Sequence, residues 1–405
     1  MDQPTYKVYG YRWFILLAFM LVVALNQLLW ITFAPITGSA AAYYGVSDLS
    51  IGLLSMSFMI AYIVVSFPAS WVIDTFGFRV AVGIGAGLTG VFGLMRGLGA
   101  SSYTLVFIAQ VGIAIGQPFI LNAVTKVAAR WFPLQERATA SGFGSLAIYM
   151  GILVGMLLTP LLSLRVGIAS MLLIYGVGAF IAGVIFMVVA RERPASPPCP
   201  PEQEERTLML EGLKQVFRKK DFLFLMLIFF FGLGIFNSVT TWIEDIVRPR
   251  GFSITQAGIA GGLMIAGGVI GALILPTLSD RYRRRVPFIV IALAGAIPGL
   301  AGVTFATSSG LLMLSAFALG FFLLSSGPVG FQYGAEIARP TPEGTSTGLL
   351  LLMGQISGIA FIFGMDSFKI PGSNSMTPSL IALIGLMLVS LWVATRLHES
   401  ELLAK

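Results

Sequence analysis

The residues Ser70-Trp71-Val72-Ile73-Asp74-Thr75-Phe76-Gly77-Phe78-Arg79 decide the fold, because Pro276-Thr277-Leu278-Ser279-Asp280-Arg281-Tyr282-Arg283-Arg284-Arg285 repeats their pattern half a chain later. Each stretch follows a long apolar run and precedes another. Asp74 and Asp280 lie 206 positions apart in a chain of 405 residues, so the sequence reads as a duplication. In both copies a glycine or arginine follows the aspartate by three positions, and an arginine stands two positions beyond that.

The apolar runs between these loops are membrane spans. The chain is 57% hydrophobic and 11% charged, with a mean hydropathy of +0.90. A soluble domain carries roughly 25% charged residues. With so few, there is no polar shell to cover a globule, and the surface faces lipid. Runs of about 20 apolar residues predict helices near 12–37, 50–73, 79–100, 102–126, 138–163, 167–190, 221–246, 253–278, 286–307, 309–334, 345–366 and 376–396. The expected fold class is an all-α membrane protein of twelve transmembrane helices in two pseudo-symmetric six-helix halves, 1–190 and 221–405. The first run is too long for the core of a signal peptide and has no clear cleavage site, so it is expected to remain in the mature protein.

Charge fixes the expected orientation. With both termini inside, twenty of the 25 Lys and Arg residues face the cytoplasm, and Arg96, Arg165, Arg248, Arg250 and Lys369 face the other side. The net charge of +7 is thus explained by topology, without nucleic acid. A multi-pass protein of the cell membrane, plasma or inner, is expected, acting as a monomer. The segment 191–220 joins the halves. It opens with the proline-rich Arg191–Pro201 and closes with Leu210, Leu213, Val216 and Phe217 at helical spacing, which predicts an amphipathic helix over 208–220 on the cytoplasmic membrane face.

One Cys excludes an intrachain disulfide, and the lone His398 sits in the C-terminal tail. A zinc site, a catalytic triad or a buried histidine relay has almost nothing to be built from. No cofactor and no metal are expected, and the chain is not an enzyme. Polar side chains inside spans are therefore the informative ones. Asn26, Gln27 and Trp30 cluster on the first helix, with Asn26 and Trp30 on one face. Gln110 and Gln117 share a face of the fourth, beside Pro118. Tyr149 lies mid-span on the fifth, Phe236 and Asn237 on the seventh, and Gln355 on the eleventh. The 206 offset superposes Trp30 on Phe236 and Tyr149 on Gln355. No Asp, Glu, Lys or His occupies the centre of a span, so neither a proton-cycling carboxylate nor a central cationic site is expected. The implied cavity is neutral, amide-rich and aromatic. It suits a cation held against ring faces, or a neutral or zwitterionic solute.

The repeated loop resembles the one between helices two and three of the major facilitator superfamily and its weaker copy between helices eight and nine, although Ser70 and Thr75 stand where glycine and a basic residue are usual. The major facilitator fold follows from that resemblance. Asp74, Arg79, Arg137, Asp280 and Arg281 are then gating or conformational residues, with Asp74 meeting Arg137 or a neighbouring helix N-terminus. A second resemblance runs over nearly the whole chain. It is carried by Gly327-Pro328-Val329-Gly330-Phe331-Gln332-Tyr333-Gly334-Ala335-Glu336, by Pro342–Leu350 and Gln355–Ile359, and by Asn26–Ile31, Phe67–Trp71 and Gln117–Leu121. These are similar to the feline leukaemia virus subgroup C receptor family, whose members carry choline and ethanolamine and for which haem has been proposed. That resemblance implies a pocket of a helix-one tryptophan, a helix-four glutamine, a helix-seven tyrosine and a helix-eleven glutamine. Trp30, Gln117 and Gln355 match, and Asn237 stands at the tyrosine position beside Phe236. The expected function is transport of a small organic solute by alternating access, a choline-like amine by facilitated diffusion being the sharpest version. An exporter of amphipathic drug-like compounds or haem is the alternative within transport. A non-transporting receptor is the alternative outside it.

Overall fold

The computed structural model describes residues 7–196, 198, 216–339 and 343–400. Twelve long helices account for most of them. We number these α1 (Arg12–Ile31), α2 (Asp48–Phe76), α3 (Phe78–Leu98), α4 (Tyr103–Leu121), α5 and α6 (the two parts of Arg137–Val189, divided at Gly167), α7 (Lys220–Thr241), α8 (Ile254–Tyr282), α9 (Val286–Phe305), α10 (Ser309–Ala338), α11 (Glu343–Ser367) and α12 (Thr377–Ala394). Eleven continuous apolar helical stretches are long enough to cross a membrane, and the one over Thr139–Val189 contains two spans. Gly167 separates them with φ +80°, a left-handed conformation that costs glycine little and side chains much.

Duplication is visible in the caps. Ser47 and Ser253 accept the backbone N–H of Ser50 and Gln256 at the starts of α2 and α8, and Ser102 and Ser308 do the same for Leu105 and Leu311 at α4 and α10. Each pair of caps is again 206 positions apart. The chain divides into two compact units, Met1–Glu204 and Glu205–Lys405. Small residues let helices approach within each. In the second unit a methyl group added at Gly320 of α10 would overlap the carbonyl of Met264 on α8.

Three expected helices are broken. α1 was expected to reach residue 37 and stops at Ile31, because Pro35 has no N–H to give Ile31. The chain resumes as a short helix, Thr37–Tyr44. α4 ends at Leu121, three residues after Pro118, and resumes at Val124–Trp131. α7 ends at Thr241 rather than 246, before a short helix at Ile243–Val247. The amphipathic helix expected over 208–220 lies outside the described residues apart from its end, where Val216 is buried and Phe217 exposed.

Candidate functional site

In the first unit the last turn of α1 carries the polar side chains. Trp30 is buried, and its indole N–H donates to the Ser55 carbonyl of α2 at 3.2 Å, which fixes the ring. The Gln110 amide of α4 donates to the Leu29 carbonyl at 3.2 Å. Gln117 lies seven residues further along α4, about 10.5 Å of helical rise. It is only 7% exposed, yet its amide makes no hydrogen bond among the described residues. Its amide atoms are not among the enclosed unpaired ones, so they meet open space at the edge of a buried side chain, and Gln117 is a ligand-binding candidate. Tyr149 of α5 is half-buried and likewise makes no hydrogen bond with described residues.

Asn26 corrects the expectation. It is fully buried, its amide donates to Thr89 Oγ1 of α3 at 3.1 Å, and its oxygen accepts from Gln27 at 3.2 Å. The amide end ties α1 to α3 and the oxygen is taken up by the neighbouring Gln27 of α1, so both polar ends of Asn26 are engaged within the protein.

Arg96 lies in the last turn of α3, off the centre of the span as expected, but it is not at the surface. Its guanidinium is fully buried. Nη1 donates to the Leu29 carbonyl at 3.0 Å and to Gln110 Oε1 at 2.7 Å, Nη2 donates to Thr32 Oγ1 at 3.4 Å, and the charge lies 5.6 Å from the Phe33 ring centre. The break in α1 explains the arrangement. The last carbonyls of a helix lack partners and carry partial negative charge, and a cation from α3 meets them.

In the second unit Phe236 is packed in the core, and Asn237 donates through Nδ2 to the Gly354 carbonyl of α11 at 3.1 Å. Asn237 therefore ties α7 to α11 beside Gln355. Gln355 itself is half-buried and makes no hydrogen bond among the described residues. At the far end of α7, buried Glu244 and Asp245 meet Arg248 at 3.2 and 2.7 Å. Lys369 pairs with Asp245 at 3.0 Å and with Asp366 at 2.8 Å, 4.9 Å above the Trp242 ring. These acids sit past the end of the span, as ion-paired groups.

The loop signatures have their own geometry. Asp74 pairs with Lys126 at 3.0 Å rather than with Arg137, whose Nε donates to the Phe132 carbonyl. Asn122 at the end of α4 donates to the Ser70 hydroxyl at 3.1 Å, which gives a role to the serine that replaces the usual glycine. Gly77 opens α3 with φ +88°, and the Glu192 carboxylate fills the space a side chain there would need. That carboxylate accepts the backbone N–H of Arg79 at 2.8 Å. In the second unit Glu399 accepts the backbone N–H of Arg285 at 2.7 Å and of Val286 at 3.3 Å. Arg285 also joins Asp280, Glu336 and the Ser279 hydroxyl. Burial works to lower its pKa, but the bonds to Asp280 and Glu336 prevail and raise it. Arg281 is exposed, and the arginine paired with Asp280 is Arg285. Glu192 and Glu399 were missed. Their signal is an acid shortly after the last helix of each half, three residues past α6 and five past α12.

A model of the Major Facilitator Superfamily matches residues 16–362. The chain belongs to the major facilitator superfamily. It is a multi-pass membrane transporter and not an enzyme. Among curated relatives of this superfamily member, solute carrier family 49 member A3 of Xenopus tropicalis is 32% identical over 92% of this chain and 81% of its own. The choline/ethanolamine transporter flvcr2b of Danio rerio is 28% identical over 92% and 81%, and the human choline/ethanolamine transporter FLVCR2 is 26% identical over 89% and 72%. Among solved structures, a bacterial homologue of the lysosomal transporter Spinster, inward-facing and unoccupied, matches with a TM-score of 0.76 at 18% identity, covering 96% of this chain and 98% of that one. A D-xylose–proton symporter matches at 0.74 and 16% identity, covering 96% and 99%. These structures share the facilitator fold.

Proposed function

We propose that this facilitator carries a small organic solute of the amine class, like the choline and ethanolamine handled by its relatives, down its own gradient. The observation that carries the reading is Gln117: a side chain only 7% exposed in the first unit, whose amide has no hydrogen bond to a described residue and is left open to a solute, beside a helix whose Trp30 ring is held by a hydrogen bond. A fixed ring supplies a face for an ammonium, and an unpaired amide supplies a donor and an acceptor. In the second unit Gln355 has the same unpaired amide. Tyr149, Phe236 and Asn237 are secondary contributors, with Asn237 offering an amide where the relatives resembled by this chain place an aromatic ring. We further propose residence in the cell membrane as a monomer with both termini cytoplasmic. Six-helix halves joined by the 191–220 linker would rock to expose the site alternately.

Titration of the purified protein with choline, ethanolamine and small amino acids, read by thermal shift, tests this. A true ligand at about 100 times its Kd stabilises by about 2.7 kcal/mol. Trp30→Ala and Gln117→Ala should abolish the shift, and only Gln117→Ala should leave the unliganded melting temperature within a few degrees, because Trp30→Ala also empties a buried ring site. A shift that survives both substitutions refutes the site.

A further inference from the structure

We propose that Arg96 sets the charge selectivity of the Trp30–Gln117 face. It disfavours a bare organic cation and favours a zwitterionic amine that carries its own anionic group. This rests on reading that face as a substrate site.

Arginine stays protonated in proteins, so a full positive charge is buried in the first unit. Its partners are the Leu29 carbonyl, the Gln110 amide oxygen and the Thr32 hydroxyl, all neutral. No carboxylate pairs with it among the described residues. The contrast lies in the second unit, where buried Arg285 meets Asp280 and Glu336, and Lys369 meets Asp245 and Asp366. The end of α1 offers Arg96 roughly half a negative charge as its dipole, and half remains uncompensated. Donors are also in surplus around it. Arg96 Nε and the Tyr44 hydroxyl are both buried without a hydrogen-bond partner, and the two side chains lie within electrostatic range of each other. Surplus donors around an uncompensated cation lower the energy of negative charge nearby and raise that of positive charge.

The field reaches the site because Arg96 bonds the carbonyl of Leu29, the residue before Trp30. Consecutive Cα atoms are 3.8 Å apart, so the guanidinium lies on the order of 10 Å from the indole. At that range, with an effective dielectric constant of about 20, a unit charge changes the binding of a cation relative to a neutral isostere by about tenfold. Partial compensation by the helix reduces this to about threefold.

Three probes of similar shape separate charge from structure: choline, its uncharged isostere 3,3-dimethyl-1-butanol, and glycine betaine. Their affinities would be measured on the full chain for the wild type, Arg96→Lys, Arg96→Gln, Gln110→Glu and Trp30→Ala. The wild type should bind betaine more tightly than choline. Arg96→Gln should raise the ratio of choline to dimethylbutanol affinity by about 3- to 10-fold and weaken betaine, and Arg96→Lys should keep the wild-type ratios. Gln110→Glu places a carboxylate on the guanidinium, at the loss of the bond from Gln110 Nε2 to the Leu29 carbonyl, and should shift the ratio in the same direction. If Arg96→Gln fails to fold, Gln110→Glu decides. Parallel loss of all three probes with unchanged ratios makes Arg96 merely structural and overturns the proposal alone. Failure of the wild type to bind any probe, or binding indifferent to Trp30→Ala, overturns the site reading and the proposal together.

Discussion

The two copies of the loop signature cap their helices alike and hold their aspartates differently. At α3 and at α9 a glutamate from the segment beyond the sixth or twelfth helix accepts backbone N–H groups at the helix start. There the likeness ends. Asp74 is 73% exposed and has one partner, Lys126. Asp280 is itself 66% exposed, but its partner Arg285 is only 8% exposed and also pairs with Glu336, which is 7% exposed. A buried pair with several bonds has one arrangement, whereas an exposed single pair opens at little cost. We read the Arg285–Glu336 pair of the second copy as a structural clasp, and we propose that the first copy is the one that changes during a transport cycle.

Removing one member of the buried pair should break the comparison most sharply. Glu336→Ala leaves the Arg285 charge with a poorer set of partners, and losing one partner of a buried pair costs about 3–5 kcal/mol. Lys126→Ala in the first copy should cost under about 1 kcal/mol. Thermal unfolding in detergent of both variants checks this, and equal shifts would show that the copies do not differ.

Next in size are the two glutamate caps. Glu192→Ala and Glu399→Ala each remove an acceptor and a negative charge from a helix N-terminus, worth about 1 kcal/mol. The expected outcome is near-equality of the two losses, because the caps are the shared part of the repeat. Glu399→Gln should recover about half the loss by restoring an acceptor without the charge. A loss confined to one of the two would mean that only that loop is a working cap.

Much of this plan is legible in residue order. The 206 offset joins Asp74 to Asp280, Arg79 to Arg285 and the cap serines to one another, since capping and loop chemistry depend on local residues. What escaped were contacts fixed by which faces are buried. α1 is apolar nearly all round and two-thirds of its spanning window is buried, so periodicity cannot say which side Asn26 takes, and it turns to Thr89. The burial of Arg96 was not legible either, because its partners are at the broken end of another helix. The Asp74 partner was misjudged for the same reason: Lys126 lies on the short helix beyond the break in α4, whose position relative to the loop follows only from the fold.

Transport should proceed without a proton gradient, which tests whether the buried acids of the second unit are structural. Glu244 and Asp245 are both held by Arg248, and Asp245 also by Lys369, so cycling a proton on either would break an ion pair. In proteoliposomes an ionophore at zero membrane potential should change the initial rate by less than about 20%, a margin that is small beside the tenfold carried by 1.4 kcal/mol. Uphill accumulation driven by a pH step, abolished by Asp245→Asn, would reassign that cluster to coupling.

The smallest expected effect on stability belongs to Asp74, and its size is the point. Asp74→Asn removes an exposed ion pair and should lower stability by less than about 1 kcal/mol, still less at high salt, where exposed charges are screened. If the first copy is the one that changes during transport, the same substitution should slow exchange several-fold while ligand affinity stays within a few-fold. Lys126→Gln should slow exchange by a similar factor, and the double variant should be no slower than either single one, because the pair acts as a unit. Asp280→Asn should behave in the opposite way, with a larger loss of stability than of rate per folded molecule. Rates of counterflow and melting temperatures for these four variants place each aspartate on a plane of rate against stability. Asp74 should lie along the rate axis and Asp280 along the stability axis. A selective loss of binding in Asp74→Asn, with a normal exchange rate, would make the first loop part of the substrate site and end its reading as a gate.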